Sequence, residues 1–231
     1  VDREALEITQ RNFPAESPEM ASALLKLGAV LGHQGRFTDA DALMRKGYEQ
    51  RKRFLGEDHS YTLSAWNGLL WVLQGQGKLT EIEQLLRDDI AARRKKKPHA
   101  ELGASLYRLG QVRRTQGNLA EAETLYREAL ALRQELLGNE HPAVGATSMD
   151  LASVLCDRKE FPEAEARFRE AITFFKRWVQ EDPKNKDYPE RLGHSQWWLA
   201  DLLTITGRPD HAEQVLREAL QVFEQAARDF P

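Results

Sequence analysis

Five short strings recur along this 231-residue chain at nearly even spacing, and they constrain its fold more than any other feature. They are Gln34-Gly35-Arg36-Phe37, Gln76-Gly77-Lys78-Leu79, Gln116-Gly117-Asn118-Leu119, Arg158-Lys159-Glu160-Phe161 and Thr206-Gly207-Arg208-Pro209. Their second residues stand 42, 40, 42 and 48 positions apart. The flanks repeat too. A leucine followed by a small residue precedes each turn: Leu27-Gly28, Leu109-Gly110, Leu151-Ala152 and Leu199-Ala200, with Leu69-Leu70 as the exception. Ala40, Ala122, Ala164 and Ala212 follow five residues after the turn, and Ile82 in the second unit. Twelve after the turn come Gly47, Ala129, Ala171 and Ala219, and Asp89 in the second unit. Self-similarity at this period predicts stacked copies of one supersecondary unit.

That unit reads as helix–turn–helix. Apolar residues recur at i, i+3, i+4 and i+7 on both sides of each turn. Glycine at the turn accepts positive φ and ends the first helix. The small residues let two antiparallel helices approach closely. No apolar–polar alternation of strand type is sustained, so the expected class is all-α. The pattern predicts a partial helix over 3–13 and five helix pairs. First helices are expected near 17–34, 60–76, 99–116, 142–158 and 187–206, and second helices near 38–54, 80–96, 120–137, 162–181 and 210–228.

The Leu-Gly/Ala pair, the turn glycine and the two alanines together resemble the framework of the tetratricopeptide repeat. The long period, with Leu55-Gly56-Glu57-Asp58-His59 and Leu137-Gly138-Asn139-Glu140-His141-Pro142 between pairs, is similar to the 42-residue subtype of kinesin light chains. The resemblance implies a right-handed α-solenoid of antiparallel helix pairs. It divides the chain into a trailing helix of a preceding repeat (1–16) and repeats at 17–56, 57–97, 98–138, 139–182 and 183–231. The last linker, from Glu181-Asp182-Pro183 to Leu192, resembles arrays that follow bacterial protein kinase domains. The start at Val1 and the echo of Asn12-Phe13-Pro14 in Asp229-Phe230-Pro231 suggest a piece of a longer protein, which the resemblance implies is bacterial and the single cysteine suits to a reducing, cytoplasmic setting.

Composition narrows the chemistry. A net charge of −3 gives no general attraction to nucleic acid or anionic membrane. A single cysteine, Cys156, excludes an internal disulfide and multi-cysteine metal sites. No apolar run approaches the roughly 18 residues of a membrane helix. Neither GxxxxGK[ST], HExxH nor GxSxG occurs. His59 and His141 are equivalent linker positions, where a role in the inter-repeat turn is expected. His194 and His211 lack paired ligands at metal spacing. Most carboxylates read as solvated faces. Arg93-Arg94-Lys95-Lys96-Lys97 reads as positive charge at a helix C-terminus rather than a nucleic-acid patch. No cofactor and no metal are expected.

In stacked helix pairs one stripe of each first helix stays free, and the resemblance places it on the inner curve. Offsets 13, 10, 6 and 3 before the turn residue share that stripe, and offset 9 flanks it. The residues selected are Asn67, Trp71 and Gln74; Tyr107, Arg108, Gln111 and Arg114; Asp150 and Ser153; and Trp197 and Asp201. Amides, guanidinium groups and aromatics suit an extended polypeptide. The paired asparagines of kinesin light chains are matched only by Asn67, and the Lys/Asn/Arg carboxylate clamp of chaperone-binding relatives is not reproduced. The expected function is a non-catalytic scaffold for a protein or peptide, within a larger signalling or adaptor protein. A self-associating spacer and an enzyme with an unrecognised site are the alternatives. The second repeat is expected to be the weakest, since Leu70, Ile82 and Asp89 replace small residues and Asp89 needs a partner.

Overall fold

A computed structural model describes residues 7, 11–12, 14–96 and 99–229, and shows ten α-helices and no strand among them. They are α1 Pro18–His33, α2 Phe37–Leu55, α3 Ser60–Gly75, α4 Leu79–Arg93, α5 Ala100–Thr115, α6 Leu119–Leu137, α7 Pro142–Asp157, α8 Phe161–Glu181, α9 Asp187–Ile205 and α10 Pro209–Asp229. The fold is an α-solenoid of antiparallel helix pairs. Helix bounds follow the sequence pattern closely, except that α4 stops at Arg93 where the pattern ran to 96. The helix expected over 3–13 lies largely outside the described residues. Two compact units divide the chain, Val1–Leu85 and Leu86–Pro231, with the boundary inside α4. In the first, α1 packs on α2 and α2 on α3. In the second, each helix from α5 to α10 packs on the next.

Each turn closes its first helix with the same two backbone bonds. After α5, the Gly117 N–H bonds the Arg114 carbonyl at 2.9 Å and the Asn118 N–H bonds that of Arg113 at 2.9 Å. This cap needs a left-handed residue, and Gly117 has φ 79°. In the fourth turn Lys159 adopts φ 65°, where a side chain costs about 1–2 kcal/mol.

The inter-repeat histidines cap the next first helix. Nδ1 of His59 accepts the Tyr61 N–H at 3.2 Å, and Nδ1 of His141 accepts that of Ala143 at 3.1 Å. The expected turn role is therefore an N-cap, which satisfies one orphan donor of the helix start. His99, ahead of α5, does the same for the Leu102 N–H at 3.2 Å.

The small positions are dictated by what faces them. A Cβ on Gly110 would stand 2.8 Å from Cε1 of Tyr126, a ring 1% exposed. Gly145 makes the same room for Phe174 and Gly193 for Phe223, so three aromatic rings of the second unit are accommodated by missing side chains on the facing helices.

Many carboxylates read as solvated faces instead tie second helices together. In the first unit Arg45 meets Glu81 at 2.7 Å. In the second, Arg87 meets Glu121 at 3.1 Å, Arg94 meets Glu128 at 2.7 Å and Arg127 meets Glu163 at 2.8 Å. Each exposed pair is worth about 0–1 kcal/mol. Asp89 has found its partner. Nε of Arg93 lies 2.8 Å from both its oxygens, and the Ser105 hydroxyl donates to it. Arg93 is 4% exposed, so it belongs to the packed interior and not to a surface patch. Lys97 lies outside the described residues.

Candidate functional site

In the first unit, Asn67, Trp71 and Gln74 all reach the surface of α3. Trp71 is 37% exposed, and its indole covers Gly32, where a Cβ would come within 2.4 Å of Cζ3. His33 and Phe37 flank the ring at 4.9 and 5.7 Å. Much of this tryptophan is therefore spent on packing α3 against the preceding pair, leaving Asn67 and Gln74 as the freer groups.

The second unit assembles a connected polar network across α5 and α7. The Tyr107 hydroxyl donates to Oδ2 of Asp150, and Nε2 of Gln111 donates to the Tyr107 oxygen at 3.0 Å. One turn along α5, Nε of Arg114 reaches Asp157 at 3.3 Å. Positions 43 residues apart thus meet directly, one more than the 42-residue interval between the two turns. Burial pushes the Tyr107 phenol well above its ordinary value, and the Asp150 carboxylate acts in the same direction. Burial also raises the Asp150 carboxyl, against the lowering effect of the Tyr107 hydroxyl and of Arg114 and Arg191.

The remaining stripe residues separate. Trp197 is 48% exposed, while Trp198 packs against the core with its ring 4.8 Å away, edge to face. Asp201 is exposed. Ser153 does not reach the stripe's surface: it is 3% exposed and its hydroxyl bonds the Met149 carbonyl. Its short side chain folds back onto its own helix through that bond, so helical offset alone overstated its reach. Burial, with Asp157 and Asp201 nearby, pushes the Cys156 thiol up to about 11, so it stays protonated at neutral pH and is a poor nucleophile. No helix among the described residues is long and apolar enough to cross a membrane.

Two arginines beside the network escaped the stripe arithmetic. The Arg133 guanidinium, on the second helix α6, lies 4.5 Å over the Tyr107 ring and bonds the Ala143 carbonyl at 3.1 Å and the Thr147 hydroxyl. Arg191, near the start of α9, bears electrostatically on both Tyr107 and Asp150. A signal for Arg133 was present: arginine stands sixteen residues after the turn in three repeats, as Arg51, Arg93 and Arg133. Arg51 makes the matching bond in the first unit, to the Tyr61 carbonyl at 2.8 Å. For Arg191 the sequence offered no signal, because it precedes the stripe.

A profile described as Tetratricopeptide repeat matches residues 19–95 and 101–177, and another of the same description matches 193–218. No curated protein matches the chain. Among solved structures, BtubC (BKLC) from P. vanneervenii is similar at 16% identity and a TM-score of 0.78, over 100% of this chain and 90% of that one. A putative kinesin light chain from Podosopora anserina, with nearly identical TPR-like repeats, shares 20% identity at a TM-score of 0.67, over 92% and 99% of the two chains. The apo form of RapI shares 10% identity at a TM-score of 0.64, over 98% and 90%. At such identities these likenesses speak for the fold alone. The profile, however, covers more than half of the residues, and the chain belongs to the tetratricopeptide repeat family.

Proposed function

We propose that this chain is a non-catalytic scaffold that holds a polypeptide partner against the face formed by α5, α7 and α9. The observation that carries the reading is the Gln111–Tyr107–Asp150 network on α5 and α7, with the exposed Trp197 on α9. It offers positioned hydrogen-bonding groups for a peptide backbone and an aromatic anchor on successive first helices. Asn67 and Gln74 extend the same chemistry within the first unit. An adaptor role inside a larger bacterial signalling protein fits such a surface.

Site-specific photocrosslinking tests it. A photoreactive residue at Gln111 or Trp197 should capture a polypeptide from the native lysate, and free chain should compete for it. The same residue at Arg217, on α10, should not. Equal capture at all three positions would refute the assignment. A second reading, self-association, is favoured by Leu216 and Leu220 on α10, which are 42% and 58% exposed. Sedimentation of Leu216→Ser/Leu220→Ser beside the parent separates the two: a dimer lost in the variant supports self-association.

A further inference from the structure

Junctions between successive second helices repeat one ion pair. An arginine ten residues after one turn meets a glutamate four residues after the next: Arg45 with Glu81 at 2.7 Å, Arg87 with Glu121 at 3.1 Å and Arg127 with Glu163 at 2.8 Å. The last junction, between α8 and α10, keeps the arginine as Arg169 but has His211 where the glutamate stands elsewhere. Arg169 pairs instead with Glu165 on its own helix, at 2.9 Å, a carboxylate that Arg208 also holds at 2.6 Å. His211 is exposed and makes no hydrogen bond or ion pair among the described residues.

A cavity of about 410 Å³ opens at this junction, and Arg169 and His211 both line it. Ligand pockets begin at about 300 Å³. Ile172, Leu199, Leu203 and Val215 give it an apolar lining. Gln196, also lining it, is 1% exposed and donates to Glu218 at 3.1 Å, while its Oε1 has no donor, which a fully closed junction would supply. Lys176 meets the same Glu218 at 2.9 Å. Seven residues of helix separate Arg169 from Lys176, about 10 Å, the length of an extended chain of about eight carbons. Arg169, Arg208 and Lys176 face the two carboxylates Glu165 and Glu218, so one positive charge is unmatched before His211 is counted. Elsewhere on α10, Glu213 pairs with Arg217, and Asp210 does not line the cavity. By helical geometry Gln196, Leu199 and Leu203 lie on roughly the opposite side of α9 from Trp197 and Asp201, so the cavity is separate from the polypeptide-binding face.

We propose that the α8–α10 cavity binds a small aliphatic carboxylic acid, whose carboxylate takes the place that a glutamate fills at the other junctions. The head lies between Arg169 and His211, where guanidinium and ring N–H groups can donate to it. The tail runs over Leu203, Leu199 and Ile172 towards Gln196. The Lys176–Glu218 pair closes the far end and has its charges matched, so it does not compete for the head. Occupancy ties α8 to α10 through the ligand, and thereby couples the last repeat to the array.

Isothermal titration of the whole chain with butanoate, hexanoate, octanoate, octanol and octylamine tests the proposal. Affinity should rise roughly two- to fourfold per added CH₂ from butanoate to octanoate, as burial of the tail requires. Octanoate should bind roughly fivefold or more tightly than octanol or octylamine, because only it supplies the missing charge. The decisive variant is His211→Glu, which restores the glutamate of the other three junctions. It should abolish octanoate binding while leaving the melting temperature unchanged or raised, so lost binding cannot be laid to unfolding. Arg169→Gln should weaken octanoate by roughly fivefold or more, and Arg217→Gln should change nothing. Octanol binding as tightly as octanoate, undiminished binding to His211→Glu, or no binding of any acid each overturns the proposal. A peptide with a C-terminal leucine carboxylate that binds more tightly than octanoate, and loses this in His211→Glu, overturns the small-acid occupant in favour of a chain end. None of these results bears on crosslinking at Gln111, which tests the polypeptide face separately.

Discussion

Replacing Gly110 by alanine should destabilise the chain, although alanine is the better helix former. In the middle of a helix that exchange gains about 1 kcal/mol from propensity alone. Here the new Cβ would lie 2.8, 2.9 and 3.2 Å from three carbons of the Tyr126 ring. The ring is 1% exposed and neighbours Tyr107 at 5.7 Å between centroids, so it has no free space to enter. Overpacking of this kind costs about 1–3 kcal/mol. The balance is a loss of about 1 kcal/mol. The decisive test is the sign change in a second background. Tyr126→Leu removes the clashing ring edge and costs about 2–4 kcal/mol as a large-to-small core change. In that background Gly110→Ala should become stabilising, by up to about 1 kcal/mol. Hydrogen exchange of α5 and α6 amides across the four proteins measures this locally, which suits an array that need not unfold in one step. A stabilising Gly110→Ala in the parent background would refute the packing argument.

Three further outcomes are expected. Lys159→Gly should stabilise the fourth helix pair by about 0.5–1 kcal/mol, since relief of the left-handed strain outweighs the added freedom of the unfolded chain; an unchanged urea midpoint would count against it. Asp89→Ala restores the residue type found in the other repeats at 129, 171 and 219, yet it should lower protection of α4 and α5 by about 1.5–3 kcal/mol, because the carboxylate serves Arg93 and Ser105; increased protection would show that alignment outranks contacts. Burial raises the Asp150 carboxyl above its ordinary 3.8, so the folded chain holds that proton more tightly than the unfolded one and loses stability as pH rises through the window above 3.8. Asp150→Asn keeps an acceptor for Tyr107 and lacks this loss, so its advantage over the parent should grow from pH 4 to pH 7; a gap that shrinks with rising pH would reverse the assignment.

The sequence by itself determined the repeat, its turns and the bounds of nearly every helix. Those features are local. A left-handed residue at Gly35, Gly77, Gly117 and Gly207, and apolar residues at helical spacing, act within one helix pair and leave a periodic trace. Contacts between neighbouring first helices, of Tyr107 with Asp150 and of Arg114 with Asp157, fall at a 43-residue interval, close to that period. Tertiary structure alone decided what depends on neighbours from other repeats. It buried Ser153, turned Trp71 towards Gly32 and left Trp197 rather than Trp198 in solvent, because side-chain length and the facing helix set exposure, not helical offset. It drew Asp89 and Arg93 inside as a pair, although one had looked like a packing defect and the other like part of a basic run. And it gathered Tyr107, Arg133 and Asp150 into one group from α5, α6 and α7. Three different helices supply them, so no spacing within a single repeat could have revealed the group.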